Sequence, residues 1–287
     1  MVALSAAEVR FIQGGIAHDL RSDGRGRYHF RPFSIQSGVI PQANGSGRCK
    51  LGATDVIASV KAELGRPPAG RPKHGSLVIS VECSPTAAPE FEGRGGEDLS
   101  LELQRALERS LLGGPNGAGA AIDLSSLHLL EGKVCWVLYI DTLVLSSDGN
   151  LLDALSIAIK AALTNTGIPK VEVLASTSAD EDPELDVDNE ESSPLDISRV
   201  PITITLTKVG RHYIVDATAE EESQMTAAVS VAVNRKGIVS GLTKRGGIGL
   251  DPSILADMIS VARHVSQTLI PTVDAEIAAS ESRAAGS

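Results

Sequence analysis

The sequence predicts an α+β fold of packed sheets and helices in two layers, on three observations. Runs of alternating apolar and polar residues occur in both halves of the chain. Each group of such runs leads into a stretch with helical periodicity. The resulting order is strands, helix, strand, helix, an acidic segment, strands and a final helix, which suits sheets with helices laid against them.

The first element is a helix from Ser5 to Leu20, because Ser5 with Glu8 three residues on is a capping-box pattern and Val9, Ile12 and Ile16 form a stripe. A Gly-rich basic turn follows, Arg21 to Arg27. Val56, Ala58, Val60 and Ala62 alternate with more polar neighbours, as do Leu77, Ile79, Val81 and Cys83, so both runs are strands. From Gly95 to Leu112 the apolar positions Leu99, Leu103, Ala106, Leu107 and Leu111 make one face of an amphipathic helix. Residues 113–119 then read as a loop.

Val134 to Leu145 is apolar on both faces, the pattern of a central strand covered on two sides. Asp148, Gly149 and Asn150 open a helix, Leu151 to Leu163, that is apolar nearly all round and therefore buried. The acidic, polar stretch Ser176 to Ser198 reads as a flexible linker or a long surface loop. Ile202–Lys208, Tyr213–Asp216, Ala228–Val233 and Ile238–Leu242 are antiparallel strands, the last two joined by a turn at Asn234–Gly237. A last helix begins at Asp251 with Pro252 in its first position and packs through Ile254, Leu255, Met258, Ile259, Ala262 and Val265. The expected divisions are an N-terminal helix (1–20), a first part (21–175), the acidic linker (176–199), a second part (200–272) and a frayed tail (273–287).

Composition narrows the function classes. The formal net charge is −10, whereas a free-standing nucleic-acid binder usually carries a basic face. Tight RNA binding by this chain alone is therefore disfavoured, though not within an assembly whose neighbours supply positive charge. Cys49, Cys83 and Cys135 form no CxxC pair, which argues for small buried thiols over a disulfide scaffold or zinc ribbon. No secretory leader pattern is expected at Met1–Glu8, and no apolar run reaches the roughly 18–20 residues of a membrane span. The histidines show no metal-ligand spacing, Trp136 belongs to the central strand, and aromatic and basic residues do not interleave as a stacking platform requires.

Several segments together resemble the RNase PH family. They are Ser22-Asp23-Gly24-Arg25, the run Lys50 to Asp55 followed by Lys61-Ala62-Glu63, the turn Asp148-Gly149-Asn150, and Val215 to Thr218 followed by Glu220-Glu221-Glu222. Each is weak alone; their order over about 20–269 is specific. The resemblance implies the RNase PH fold and 3′-to-5′ RNA processing and degradation by phosphorolysis. Two segments, Phe91-Glu92-Gly93-Arg94-Gly95-Gly96 and Asp216-Ala217-Thr218-Ala219-Glu220-Glu221-Glu222, further resemble the ring subunits of the RNA exosome. That implies other RNase PH-like subunits as heterodimer partners in a hexameric ring, S1/KH-type cap subunits, RNA threaded through a channel, and a place in the nucleus, nucleolus and cytoplasm. No cofactor, metal or membrane partner is implied.

In catalytic relatives the turn before the buried helix reads Gly-Ser/Thr-Arg, and helix N-terminal amides, a hydroxyl and a guanidinium hold phosphate. The matching positions here are Asn150, Leu151 and Leu152, followed by Asp153. The hydroxyl and guanidinium are gone. An added carboxylate would repel the anion by about 4 kcal/mol at ~4 Å and an effective dielectric near 20. The resemblance therefore implies a scaffold and channel wall without catalytic residues; the alternative is an active phosphate-dependent exoribonuclease. Asp216 and Glu222 keep the family's two acidic positions, to serve as a metal or proton site or as a solvated turn. A magnesium site on Glu220, Glu221 and Glu222 is disfavoured, because neighbours on an extended turn diverge. Arg105 and Arg109 share a helix face, and the resemblance, in which the matching helix borders the RNA path, makes them, with Arg94 in a Gly-rich loop, the candidate RNA contacts; the competing reading pairs them with Glu102 and Glu108.

Overall fold

The computed structural model describes residues 4–113, 120–174 and 184–285. Its first half runs α1 (Ala6–Ala17), β1 (Phe33–Ser37), β2 (Gly45–Leu51), β3 (Thr54–Gly65), β4 (Ser76–Cys83), α2 (Gly95–Leu112), β5 (His128–Leu130), β6 (Val134–Ser146) and α3 (Leu151–Thr164). The second half is β7 (Gly167–Leu174), β8 (Glu184–Pro194), β9 (Ile202–Val209), β10 (His212–Val215), α4 (Ala219–Glu222), β11 (Met225–Val233), β12 (Val239–Arg245) and α5 (Pro252–Ala285). One sheet has the order β1-β2-β3-β6-β4, with β5 also on β6; a second has the order β10-β9-β11-β12. All pairings are antiparallel except β4 with β6.

The two sheets share one helical layer. α3 packs on β2 and β3 of the first sheet and on β9 of the second. Each sheet with its helices makes the expected two layers, and the sharing explains why α3 is apolar all round: every residue from Leu151 to Leu163 is buried. The approach of β2 to α3 depends on glycine, since a Cβ on Gly47 would lie 2.7 Å from the Ala162 nitrogen and 2.8 Å from the Ala158 oxygen. α2 bridges the sheets as well, resting on β4 and β12. α1 carries the expected capping box at Ser5 and seats Ile12 and Ile16 against Val209 and Ile214.

Three segments differ from the sequence expectation. β1 alternates over only five residues, and β2 lacks a clear alternating pattern, because Gly45, Ser46 and Gly47 present little apolar surface while their backbone pairs fully. The acidic segment is a strand from Glu184 to Pro194, antiparallel to β7, with Val171 opposite Val187 and Val173 opposite Leu185. Backbone amides build that ladder, so acidic composition weakens it without forbidding it. Residues 175–183 lie outside the described residues, as does the expected loop beyond Gly113 up to residue 119. The tail is helical through Ala285: Val273, Ile277 and Ser280 continue the buried face, and the Ser37 amide donates to Ser280 Oγ at 2.8 Å.

Candidate functional site

The turn between β6 and α3 meets the loop after β10, and there the positions singled out above converge. Gly149 has φ 77°, and a Cβ on it would lie 2.7 Å from the Ala217 oxygen, so only glycine lets the two loops touch. Asn150 and Asp216 both adopt left-handed backbone, at φ 54° and φ 51°, a conformation that Asn and Asp tolerate best among residues with a side chain. Asn150 donates from Nδ2 to Asp216 Oδ1 at 2.8 Å.

Asp216 is fully buried and surrounded by donors. Arg31 reaches it through Nη2 to Oδ1 at 2.8 Å, through Nε to Oδ2 at 3.0 Å, and through its own amide to Oδ2 at 2.7 Å. Arg25 Nη1 adds 2.9 Å to Oδ2. Burial opposes ionisation of Asp216, but the hydrogen bonds and charge of Arg31 outweigh it and hold the carboxyl below its ordinary range. The same Arg31 ties Asp148 in, donating to its carbonyl at 2.7 Å and to Oδ2 at 3.1 Å.

Glu222 closes the helix end. Its Oε1 accepts the Asn150 amide at 3.1 Å, with Arg245 Nη2 at 3.5 Å. The chain's own carboxylate thus sits at the N-terminus of α3, where an anion is favoured by the exposed amides and the helix dipole. Leu151 and Leu152 follow and are buried. A cleft of about 270 Å³ opens beside Leu151, Phe91, Leu99 and Met225, with Glu90, Glu222 and Arg245 as its charged groups.

Asp153 does not face this cleft, contrary to the sequence reading. It is completely buried, and Thr205 of β9 donates to it from the amide at 2.9 Å and from Oγ1 at 2.7 Å, with Asn150 Nδ2 at 3.0 Å. Burial pushes its carboxyl up to about 7 against these hydrogen bonds. Three helix residues on from Asn150, its side chain points to the second sheet, so it joins α3 to β9. The carboxylate at the helix end is therefore Glu222.

The three consecutive glutamates serve three directions. Glu221 is buried on Arg21 and closes a capping box with Thr218, Glu222 turns to α3, and Glu220 is exposed. Among the described residues no group of His, Cys, Asp or Glu converges in a metal-binding arrangement. The three cysteines are free and buried; burial, with Asp55 and Asp216 nearby, pushes the Cys49 thiol up to about 12.

Arg94, Arg105 and Arg109 stand apart from this cluster, on α2. All three are exposed. Arg94 is the residue before the first turn, about 16 Å along the axis from Arg105 and on the same side. Among the described residues neither Glu102 nor Glu108 pairs with these arginines; Glu108 accepts from Gln104 at 2.9 Å instead.

Comparison with known proteins agrees with this architecture. Residues 29–169 match the 3′ exoribonuclease family, domain 1 (RNase_PH), and residues 199–265 match domain 2 of the same family. The chain belongs to the RNase PH family. Among its RNase PH relatives, the "Putative exosome complex exonuclease RRP42" of Dictyostelium discoideum is 37% identical over 96% of this chain and 98% of its own length. The "Exosome complex component Rrp42" of Methanopyrus kandleri is 37% identical over 90% of this chain and 92% of its own. In three dimensions the chain resembles a chain of the "archaeoglobus fulgidus exosome with RNA bound to the active site". The TM-score there is 0.79 at 30% identity, covering 93% of this chain and 97% of that one.

Sequence reasoning missed Arg31, the hub of the site. Its partner Asp216 is 185 residues away, and nothing local marks the pairing. Arg25, in the basic turn, is part of the same network. Also missed was the run Arg27-Tyr28-His29-Phe30-Arg31-Pro32-Phe33, in which basic and aromatic residues do interleave. The low overall aromatic content hid it.

Proposed function

We propose that this protein is a non-catalytic ring subunit of an RNA exosome core, scaffolding the ring and lining the path of RNA in 3′-to-5′ processing and degradation. The observation that carries this reading is the Glu222 carboxylate on the Asn150 amide. In a catalytic RNase PH protein that helix end holds phosphate; here an internal anion occupies it. Leu151 and Leu152 offer no hydroxyl or guanidinium to replace what is lost. Phosphate would have to displace Glu222 or sit beside it, at a repulsion of about 4 kcal/mol at ~4 Å and an effective dielectric near 20.

The phosphorolytic alternative needs a carboxyl free to act on a substrate, whereas Asp216 is enclosed by Arg31, Arg25 and Asn150. The partners are other RNase PH-like subunits, S1/KH-type cap subunits and threaded RNA. For a ring, β4 and β12 offer sheet edges, and exposed Val78, Leu101, Val239 and Leu242 offer apolar contact. Arg94, Arg105 and Arg109 form the stretch of α2 that faces RNA.

Co-expression with a catalytic RNase PH-like subunit tests the proposal. Native mass spectrometry is expected to show a mixed ring, and Arg105→Glu with Arg109→Glu to weaken RNA retention at least ten-fold without breaking the ring. A chain that stays monomeric beside such partners would contradict it.

A further inference from the structure

Tyr28, Phe30, Phe33 and Tyr213 gather on the face of the molecule where the Arg27–Phe33 segment passes α5. A groove of about 490 Å³ is lined by Tyr28, His29, Phe30 and Phe33 on one side and by Thr268, Leu269 and Thr272 on the other. Arg31 turns inward to Asp216, while Tyr28 and His29 stay exposed. Tyr28 keeps 40% of its surface open, although large aromatic side chains usually bury most of theirs. The Tyr213 ring lies 6.2 Å away, tilted by 30°, and the Arg27 guanidinium stands 6.0 Å from the Tyr28 ring centre.

We propose that this groove is a stacking platform for single-stranded RNA, separate from the degenerate phosphate turn, in which a base lies on Tyr28. The choice of RNA as ligand rests on the proposed function; the stacking chemistry rests on the rings. Every base has a π-face, so one exposed ring braced by a second holds any sequence, and the guanidinium adds a cation beside it. Positive charge here is modest. Arg27 also pairs with Asp19 at 3.2 Å, and Glu276 borders the groove. Binding at the platform therefore depends on stacking more than on phosphate neutralisation, and its salt dependence is shallow.

The test uses the full-length protein with whatever ring subunits copurify, titrated with fluorescein-labelled single-stranded oligoadenylate. Tyr28→Ala is expected to weaken binding about five-fold or more, the lower end of what one base–aromatic stack supplies. Tyr28→Phe is expected to keep wild-type affinity, and neither change to steepen the salt dependence. Because Tyr28 is partly exposed, both variants fold, and matched thermal unfolding of the two checks it. Unchanged affinity in Tyr28→Ala would overturn the platform, as would an equal loss in Tyr28→Phe. Arg105→Ala with Arg109→Ala, run in parallel, separates the two proposals. Loss there with none in Tyr28→Ala leaves the channel reading standing and removes this one. Tyr28-dependent capture of a proline-rich peptide, with RNA affinity unmoved, would assign the groove to a protein partner instead.

Discussion

Asp153 and Asp216 are both buried carboxylates, yet their surroundings move them in opposite directions. Asp216 faces two guanidinium groups, and Asp153 faces only neutral donors from Thr205 and Asn150. Asp153, at about 7 in the fold and near 3.9 unfolded, takes up a proton on folding. Its stabilising contribution is complete below about pH 4 and disappears as pH rises through about 7. When protonated it donates to Thr205 Oγ1, which then donates to Ser230 Oγ, 2.8 Å away. Asp153→Asn mimics that state, so its urea midpoint is expected to be less sensitive to pH than wild type between pH 5 and 8; identical pH slopes would contradict this role. Asp216 works the other way. Its depressed carboxyl contributes stability above the unfolded value, lost as pH falls through the folded one. Removing its main partner with Arg31→Ala leaves a buried charge under-compensated and is expected to cost about 3–5 kcal/mol by urea denaturation. A cost below about 1 kcal/mol would mean that Arg25 and Asn150 suffice.

Between elements, the contact of β2 with α3 depends on small residues. Gly47→Ala places a methyl against the α3 backbone at 2.7 Å, and such overpacking typically costs about 1–3 kcal/mol, read as a fall in thermal midpoint. An unchanged midpoint would show that the strand and helix can separate freely. Helices were the legible elements of this sequence: α2 ends where its apolar stripe ends, and α3 announces its burial by being apolar on all sides. Strands were legible where β-branched residues alternate, as in β3 and β4. They were hidden where backbone pairing does the work, as in Gly-rich β2 and acidic β8. The helical tail was hidden too, because its alanines and serines look polar and small while Val273, Ile277 and Ser280 quietly extend the buried face.

At the scale of the whole molecule, the family was readable because its resemblance lies in contiguous motifs. The partners that decide what the turn does come from distant parts of the chain. Arg31, Asp148, Asn150, Asp216 and Glu222 meet only when β6, β10 and the loop before β1 are assembled, which a linear reading cannot supply. That assembly makes a closed ionic joint between the two halves of the fold. The most direct measurement is the release of nucleoside diphosphates from single-stranded RNA by the purified chain alone, with magnesium and inorganic phosphate. A non-catalytic subunit releases none, and adding catalytic ring partners restores release at the partners' sites. Diphosphates produced by the chain alone would mean that phosphate reaches the end of α3 despite Glu222, Leu151 and Leu152, and would contradict the account.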